Sequence, residues 1–243
     1  MSRDRKLRIA ATADIHYGKQ SKGTSQAMFD AVSRDADVLL LCGDLTDYGS
    51  AEEAELLAAD LRAHVRVPVL AVLGNHDFES GHPEAVAKVL EDAGVRMLDG
   101  EATEIDGVGF AGVCGFGGGF GRRMLNAWGE PLIKSFVQEA IDQALRLEQA
   151  LTQLTSERRI VLLHYAPISG TVEGEPREIF PFLGSTRLEE PINRFRVNAV
   201  FHGHAHNGTA QSATSAQIPV FNVAVPLLQR DNAAQQPFRL FQI

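Results

Sequence analysis

Short apolar, β-prone runs separated by helix-like segments constrain this chain more than any other feature of its sequence. Residues 7–13, 37–42 and 67–73 have the composition of buried strands, and residues 25–34 and 51–64 have that of helices. Strand, helix and strand joined by short connections is typical of parallel βαβ units. The sequence therefore predicts an α/β fold in which helices cover a sheet.

The rhythm changes after residue 94. Residues 95–114 form short runs divided by Asp99-Gly100 and Asp106-Gly107, and these turn signals predict antiparallel strand pairs. A long helix is expected from about residue 132 to residue 154, and a further buried strand at residues 159–163.

Two loop regions are expected near the end of these strands. Residues 115–121 are glycine-rich without the Walker pattern, which favours a packed loop that borders a site. Residues 165–185 are rich in Pro and Gly and predict a lid or surface loop. Because no repeat, linker or break interrupts the chain, we expect one domain over residues 1–243.

Composition excludes several classes of protein. Hydrophobic residues make up 44% and charged residues 22% of the chain, as in globular proteins, and no apolar run approaches the roughly 20 residues of a membrane span. The basic segment 1–6 precedes a strand-like stretch and not an apolar signal core, which predicts a cytoplasmic location. Cys42 and Cys114 lie in apolar stretches and are expected to be buried free thiols.

The net charge of −8 bears on the partner. Nucleic-acid binding depends on a concentrated basic surface, so no nucleic-acid partner is expected. A small anionic substrate remains compatible with an acidic chain because bound cations reverse the field locally.

Side chains able to bind metals follow the predicted strands. Asp14, Asp44, Asn75 and His164 each stand at the end of a buried run, and the carboxyl ends of strands in α/β sheets line ligand crevices. Asp14 and His16 are two residues apart, as are His204 and His206, so each pair can point to one side of an extended backbone.

The chemistry of this set favours transition metals. Oxygen and nitrogen donors without cysteine suit Mn, Fe, Zn or Co better than a structural thiolate zinc site. Seven ligands are too many for one ion and sufficient for two if a carboxylate bridges them. Asp44, between the first pair and Asn75, is the best bridging candidate.

Five sequence blocks, in order, resemble the signature of the calcineurin-like metallophosphoesterase family. They are Asp14-Ile15-His16, Gly43-Asp44, Gly74-Asn75-His76-Asp77, His164 and Gly203-His204-Ala205-His206. The Gly-Asn-His-Asp block and the Gly-His-x-His block are each expected by chance at on the order of 1 in 10^5 positions or fewer. The blocks extend from residue 14 to residue 206, so the resemblance covers most of the chain.

The resemblance implies a four-layer αββα sandwich, two mixed β-sheets flanked by helices, with a dinuclear metal site at the carboxyl edge of the strands. It implies two divalent or trivalent ions of Mn, Fe or Zn. The first would be held by Asp14, His16, Asp44 and His206. The second would be held by Asp44, Asn75, His164 and His204.

The implied activity is hydrolysis of a phosphate ester. Two ions clamp the phosphoryl group and lower the pKa of a bridging water, which supplies a hydroxide nucleophile at neutral pH. His76 stands at the position of the family's catalytic histidine, which protonates or hydrogen-bonds the leaving oxygen. The next residue, Asp77, is expected to orient the His76 ring, as carboxylates commonly do for imidazole.

Several alternatives remain open. A small-molecule phosphodiester is slightly favoured as the substrate over a phosphomonoester, which would use the same metal core. A non-catalytic scaffold is less favoured because no ligand position is missing, and a nuclease because neither a basic nor an aromatic binding strip is evident. His202 shares a strand face with His204, which suggests a contact behind the ligands.

Replacement of His76 separates catalysis from metal binding. We expect His76→Ala to lose most turnover while it keeps its metal, because His76 acts on the leaving oxygen and is not a ligand. Steady-state kinetics and metal analysis of the purified variant measure both quantities. Substantial loss of bound metal would contradict the role.

Overall fold

The computed structural model describes residues 6–231 and 236–243. The strands are β1 Arg8–Thr12, β2 Val38–Cys42, β3 Val69–Val72, β4 Val95–Met97, β5 Glu101–Ile105, β6 Val108–Gly112, β7 Arg158–Leu162, β8 Ala199–His202, β9 Gln211–Ala213, β10 Pro219–Asn222 and β11 Arg239–Gln242. The helices are α1 Gln26–Asp35, α2 Ala51–His64, α3 Pro83–Asp92, α4 Pro131–Thr152, α5 Phe180–Leu183, α6 Glu189–Arg194 and α7 Val225–Asp231.

The first sheet has the strand order β11-β1-β2-β3-β4. Strands β1 to β4 are parallel, and β11 pairs antiparallel with β1 at one edge. Helices α1, α2 and α3 connect these parallel strands, as the pattern of apolar runs predicts. Asp14, Asp44 and Asn75 follow β1, β2 and β3, so the topology brings all three to one edge of the sheet.

The second sheet has the order β5-β6-β7-β8-β10-β9. Its central strands β6, β7, β8 and β10 are parallel, and β5 and β9 pair antiparallel at the two edges. His164 follows β7 and His204 follows β8, its parallel neighbour. The second sheet therefore presents its histidines at the carboxyl ends of adjacent strands.

The two sheets pack face to face, and helices cover their outer faces. On β2, Leu39 and Leu41 contact the helix layer of α1, α2 and α3, whereas Leu40 points to the other sheet, since side chains alternate along a strand. Leu40 packs in a layer with Phe110 and Phe201 of the second sheet. The opposite face of that sheet packs on α4 and α6. The expected αββα sandwich with two mixed sheets is confirmed.

One expectation about strand pairing is partly wrong. Asp106 and Gly107, with φ of 49° and 74°, form the tight turn of the antiparallel β5–β6 hairpin, as predicted. The Asp99-Gly100 signal does not join such a pair, because β4 adds to the first sheet parallel to β3. The turn instead carries the chain from one sheet to the other, and a turn signal alone does not distinguish these outcomes.

The structure also bears on the two cysteines, on membrane-spanning helices and on the N-terminal segment. Cys42 and Cys114 are both free thiols, as predicted; Cys42 is buried, whereas Cys114 is only half-buried. Over the described part of the chain, no helix is long and apolar enough to cross a membrane. Most of the basic segment 1–6 lies outside the described residues.

The layer between the sheets should dominate stability. Leu40 has no exposed surface, so Leu40→Ala is expected to lower the free energy of unfolding by about 2–5 kcal/mol through lost burial and a residual cavity. Leu240→Ala on edge strand β11 is the control, since Leu240 is 49% exposed and its loss should cost about 0.5 kcal/mol or less. Denaturant titration measures both values, and equal losses would contradict the layer's role.

Candidate metal centre

The loops that follow the strands hold their polar residues in unusual backbone conformations. Asp14, His16, Asp44 and His204 have φ of 57°, 44°, 48° and 69°, in the left-handed region that non-glycine residues rarely adopt. Such conformations cost free energy and persist where the surroundings enforce them, typically at functional sites. Here the backbone N–H of Asp14 donates to Gly43 O at 3.0 Å and that of His16 donates to Asp44 O at 3.1 Å.

The first group of ligand atoms comprises Asp14, His16 and His206. His206 Nε2 lies 2.9 Å from Asp14 Oδ1, and the His16 and His206 rings meet edge to face at 5.6 Å between centroids. The backbone N–H of His204 donates to both Asp14 oxygens, at 3.1 and 3.0 Å. These hydrogen bonds fix Asp14, which follows β1 of the first sheet, against residues 203–206, the histidine loop that follows β8 of the second sheet.

The second group comprises Asp44, His164 and His204. His164 Nε2 lies 2.9 Å from Asn75 Oδ1 and 3.4 Å from Asp44 Oδ1. The His164 and His204 rings are 4.8 Å apart. Asp44 also faces the first group, since its Oδ2 is 3.8 Å from His16 Nε2. This position between the groups is the one expected of a bridging carboxylate.

Backbone carbonyls fix which nitrogen of each second-group histidine carries a proton. His164 Nδ1 lies 3.1 Å from Cys42 O and His204 Nε2 lies 3.1 Å from Phe182 O. A carbonyl oxygen only accepts hydrogen bonds, so each of these nitrogens donates. The other nitrogen of each neutral ring, Nε2 of His164 and Nδ1 of His204, therefore presents its lone pair to the site.

Glycines in the sequence blocks allow the ligands to approach one another. A Cβ on Gly74 would overlap the backbone nitrogen and Oδ1 of Asp44 and would lie 2.8 Å from His164 Cε1. A Cβ on Gly203 would overlap Asp14 Oδ2 and Ala13 Cβ. Both positions therefore require glycine because a ligand occupies the space of the missing side chain.

Burial sets the electrostatics of the centre. Burial and the nearby charge of Asp14 raise the pKa of Asp44. Burial also opposes ionisation of Asp14, but the hydrogen bond from His206, the neighbouring imidazoles and the backbone N–H of His204 outweigh it and lower the pKa of that carboxyl. Burial lowers the pKa of His164 and takes that of His204 to about 4, so both rings are neutral near pH 7.

These residues fit a pair of metal ions. Both nitrogens of His164 face oxygens, Cys42 O at 3.1 Å and Asn75 Oδ1 at 2.9 Å. A neutral ring has one N–H, so one of these contacts lacks a hydrogen, an arrangement that a cation relieves. His16 Nδ1 is buried and has no hydrogen-bond partner among the described residues. Asp14 and Asp44 are only 2% and 1% exposed, and buried carboxylates of this kind are paired or bind metals.

His76 lies beside the ligands but is held by a different group from the one expected. Its Nδ1 donates to the backbone carbonyl of Asp47 at 2.7 Å, and its ring contacts His16 edge to face at 4.5 Å. The hydrogen bond leaves Nε2 as the nitrogen available to a substrate. Burial opposes protonation, but the Asp47 carbonyl and the charges of Asp44 and Asp47 outweigh it and raise the pKa of His76.

The expected role of Asp77 as the residue that orients His76 is wrong. The Asp77 carboxylate is fully buried and accepts hydrogen bonds from the backbone N–H groups of Leu45, Thr46 and Gly74 and from Thr46 Oγ1, at 2.6–3.1 Å. It therefore ties the loop after β2 to the loop after β3. Its contribution to the site is the position of Asp44 and Asn75, which those loops carry.

Sequence reasoning did not identify the groups that orient the histidines. Two of them, the carbonyls of Cys42 and Phe182, are backbone atoms that leave no trace in residue identity. The third belongs to Asp47, whose carboxylate also lies 3.8 Å from His16 Nδ1. Its place three residues after Asp44 was the one available signal.

The hydrogen bonds of His202 go to groups other than the candidate ligand side chains. His202 is fully buried, its Nδ1 donates to Gly203 O at 2.8 Å, and its Nε2 accepts from Thr171 Oγ1 at 2.8 Å. The ring therefore joins the start of the histidine loop to segment 165–185.

Comparison with known proteins agrees with the fold and identifies the family. The family model described as "Calcineurin-like phosphoesterase" matches residues 7–208. No curated protein sequence matches the chain.

Solved structures share the fold at low sequence identity. The phosphopantetheinyl hydrolase of Mycobacterium tuberculosis is 14% identical with a TM-score of 0.70, and the match covers 97% of this chain and 96% of that one. Protein TT1561 of Thermus thermophilus is 19% identical with a TM-score of 0.56, and the match covers 98% and 99%. At these identities the likeness establishes the fold alone.

The close approach at Gly74 can be tested directly. Gly74→Ala should displace Asp44 or His164 and weaken metal binding by about 10–100-fold, the range found when groups supporting metal ligands are changed. Isothermal titration calorimetry with the metal measures the affinity. Gly18→Ala is the matched control, because a Cβ there would meet Asp47 at an ordinary 3.6 Å. Unchanged affinity in Gly74→Ala would contradict the packing argument.

Proposed function

Since this chain belongs to the calcineurin-like phosphoesterase family, whose members are metal-dependent hydrolases of phosphoester bonds, we propose that it hydrolyses a small-molecule phosphodiester. The observation that carries the proposal is the convergence of candidate ligand atoms from loops of both sheets, with the His76 ring 4.5 Å from that of His16 beside them.

Each group of candidate ligands would bind one of the two ions. Asp14, His16 and His206 would hold one ion, and Asn75, His164 and His204 would hold the other, with Asp44 shared between them. When bound, two such ions supply Lewis-acid stabilisation of phosphoryl charge and a water of lowered pKa.

His76 supplies the proton for the leaving group. Hydrolysis forms a bond from water oxygen to phosphorus and breaks the bond to the ester oxygen, which must gain a proton as it leaves. The Asp47 carbonyl holds His76 Nδ1–H, so the ring presents Nε2 in a fixed orientation. The raised pKa of His76 increases the protonated fraction from which that transfer occurs.

A cavity next to the ligands supports a diester over a monoester. It has a volume of about 450 Å³, is mostly apolar, and includes Asn75 in its wall. A diester places its second ester group in such a space. A monoester dianion carries one more negative charge there, and the guanidinium that lines the cavity, Arg146, is already paired with Asp99 at 3.2 Å.

The charge of the chain supports a small substrate. A net charge of −8 disfavours a phosphate-backbone partner, since such a partner requires a basic surface. The exposed arginines after the glycine-rich loop, Arg122 and Arg123, do not line the cavity.

The structural relative from Mycobacterium tuberculosis offers one specific candidate. It is named a phosphopantetheinyl hydrolase. At 14% identity that name does not assign the same substrate to this chain, but it identifies a phosphoester to test. Phosphopantetheinyl esters therefore belong in the substrate panel beside nucleotides.

The test is a panel of esters with purified protein and added Mn²⁺. We expect turnover of bis-p-nitrophenyl phosphate to exceed that of p-nitrophenyl phosphate in kcat/KM by roughly tenfold, as one extra charge without a partner costs at least about 1.4 kcal/mol. Cyclic and linear nucleotides and phosphopantetheinyl esters complete the panel. Removal of metal with a chelator should abolish turnover, and Mn²⁺ should restore it.

Two outcomes would oppose the proposal. Preference for the monoester would replace the diesterase assignment with a monoesterase on the same residues. No turnover of any ester by protein with two bound metals would favour a non-catalytic scaffold.

A further inference from the structure

An aromatic cleft extends from the metal centre. The cavity of about 450 Å³ is lined by the ligand Asn75, by Phe78 on one side, and by Phe116 and Tyr165 from other parts of the chain. Phe78 follows two residues after His76 and is 47% exposed. A substrate whose phosphoryl group sits at the ligands therefore has an apolar space beside it.

The aromatic wall is continuous with the ligands. The Tyr165 ring lies 4.5 Å from the His204 ring and 5.8 Å from that of Phe116. Phe116 lies 4.9 Å from Phe136, which in turn lies 6.1 Å from Phe182.

The glycine-rich loop is held in place by Gln143, whose Oε1 accepts from the Gly115 N–H at 3.1 Å. This loop therefore borders the site, as expected, and supplies part of the wall.

The cleft continues into a second apolar cavity. That cavity has a volume of about 320 Å³ and shares Phe78, Asp99 and Cys114 with the first. Leu98 and Met97 extend its apolar lining. The two cavities, of about 450 and 320 Å³, offer volume for an arm larger than one ring.

Charge limits what the cleft accepts. Among the described residues that line the two cavities, the ionisable carboxylates are Asp99, Glu139 and Glu84, and the one guanidinium is that of Arg146. Arg146 is paired with Asp99 at 3.2 Å. Glu139 Oε1 accepts from Gln143 Nε2 at 2.9 Å. The balance is negative, so an anionic group in the cleft would meet repulsion.

We propose that the cleft between Phe78 and Phe116 binds an uncharged, largely apolar arm of the phosphoester substrate. The inference rests on the proposed function and names its substrate class. Substrates with an aliphatic or aromatic arm on the phosphoryl group are selected, and those with a second phosphate or a carboxylate on that arm are rejected. Phe78 and Phe116 are the residues that determine this specificity.

Binding of phosphonates to the Mn²⁺-loaded protein tests the cleft without turnover. Methylphosphonate, butylphosphonate and 3-carboxypropylphosphonate share one head group, and the last two match in arm length. We expect calorimetry to give a dissociation constant roughly tenfold lower for the butyl than for the methyl compound, because three methylenes lose about half of their contact with water beside Phe78, which is itself 47% exposed. The carboxylate compound should bind no better than the methyl one.

Variants identify the cleft as the source of the selectivity. Phe78→Ala and Phe116→Ala should each reduce the butyl-to-methyl affinity ratio to about threefold or less, through lost apolar contact. Leu240→Ala is the matched control, since Leu240 is 49% exposed on edge strand β11, outside the cleft, and the ratio should stay near tenfold.

The outcomes separate this inference from the proposed function. Equal affinities for all three phosphonates, or no detectable binding of any, would overturn the arm site even if the protein hydrolyses simple diesters. An intact butyl preference without hydrolysis of any ester would support the arm site and contradict the proposed function. An unchanged ratio in both phenylalanine variants would also overturn the assignment.

Discussion

The structure depends on the mutual repulsion of electron-rich groups that the two sheets bring to one edge. Carboxylates of Asp14 and Asp44 and the lone pairs of His164 and His204 converge in a buried space. Alone, such an arrangement opposes folding, because buried charges and unpaired acceptors cost free energy. Cations convert the same arrangement into a source of stability. Ions bound at these residues would therefore also hold the two sheets together, and their binding would contribute to the free energy of folding.

The backbone makes this convergence feasible. Parallel strands with their carboxyl ends side by side deliver one ligand per loop, and left-handed conformations at four ligand residues turn the side chains inward. Hydrogen bonds donated to the Asp77 carboxylate hold two of those loops together, and the N–H of His204 holds Asp14 across the sheets. The apolar layer around Leu40 keeps the sheets at a fixed separation. Local strain is thus balanced by packing some distance from the ligands.

Much of this could be predicted from the sequence, for a physical reason in each case. Apolar runs ending in Asp14, Asp44 and Asn75 predict both the strands and the edge where their ligands meet, since topology alone brings those ends together. Predictions based on neighbours in the sequence were wrong where the contacts depend on the three-dimensional fold. Asp77 follows His76 in the chain, but its side chain faces the backbone of the β2 loop, and Asp47 holds the ring through a carbonyl. The pairing of β4 likewise depends on sheet packing that a turn signal does not encode.

The hydrogen bond between His204 and Phe182 has a consequence for the lifetime of a bound ion. The Phe182 carbonyl accepts a hydrogen bond from His204 Nε2 and thereby keeps the proton on that nitrogen. The lone pair of Nδ1 is then free to bind a cation. If segment 165–185 moved away, the proton could pass to Nδ1, and the ring would lose its lone pair toward Asp44. If His204 holds an ion, as proposed, a peptide carbonyl that binds no metal would thus influence how long that ion stays bound. Metal binding at His204 and the packing of this segment would then be thermodynamically linked.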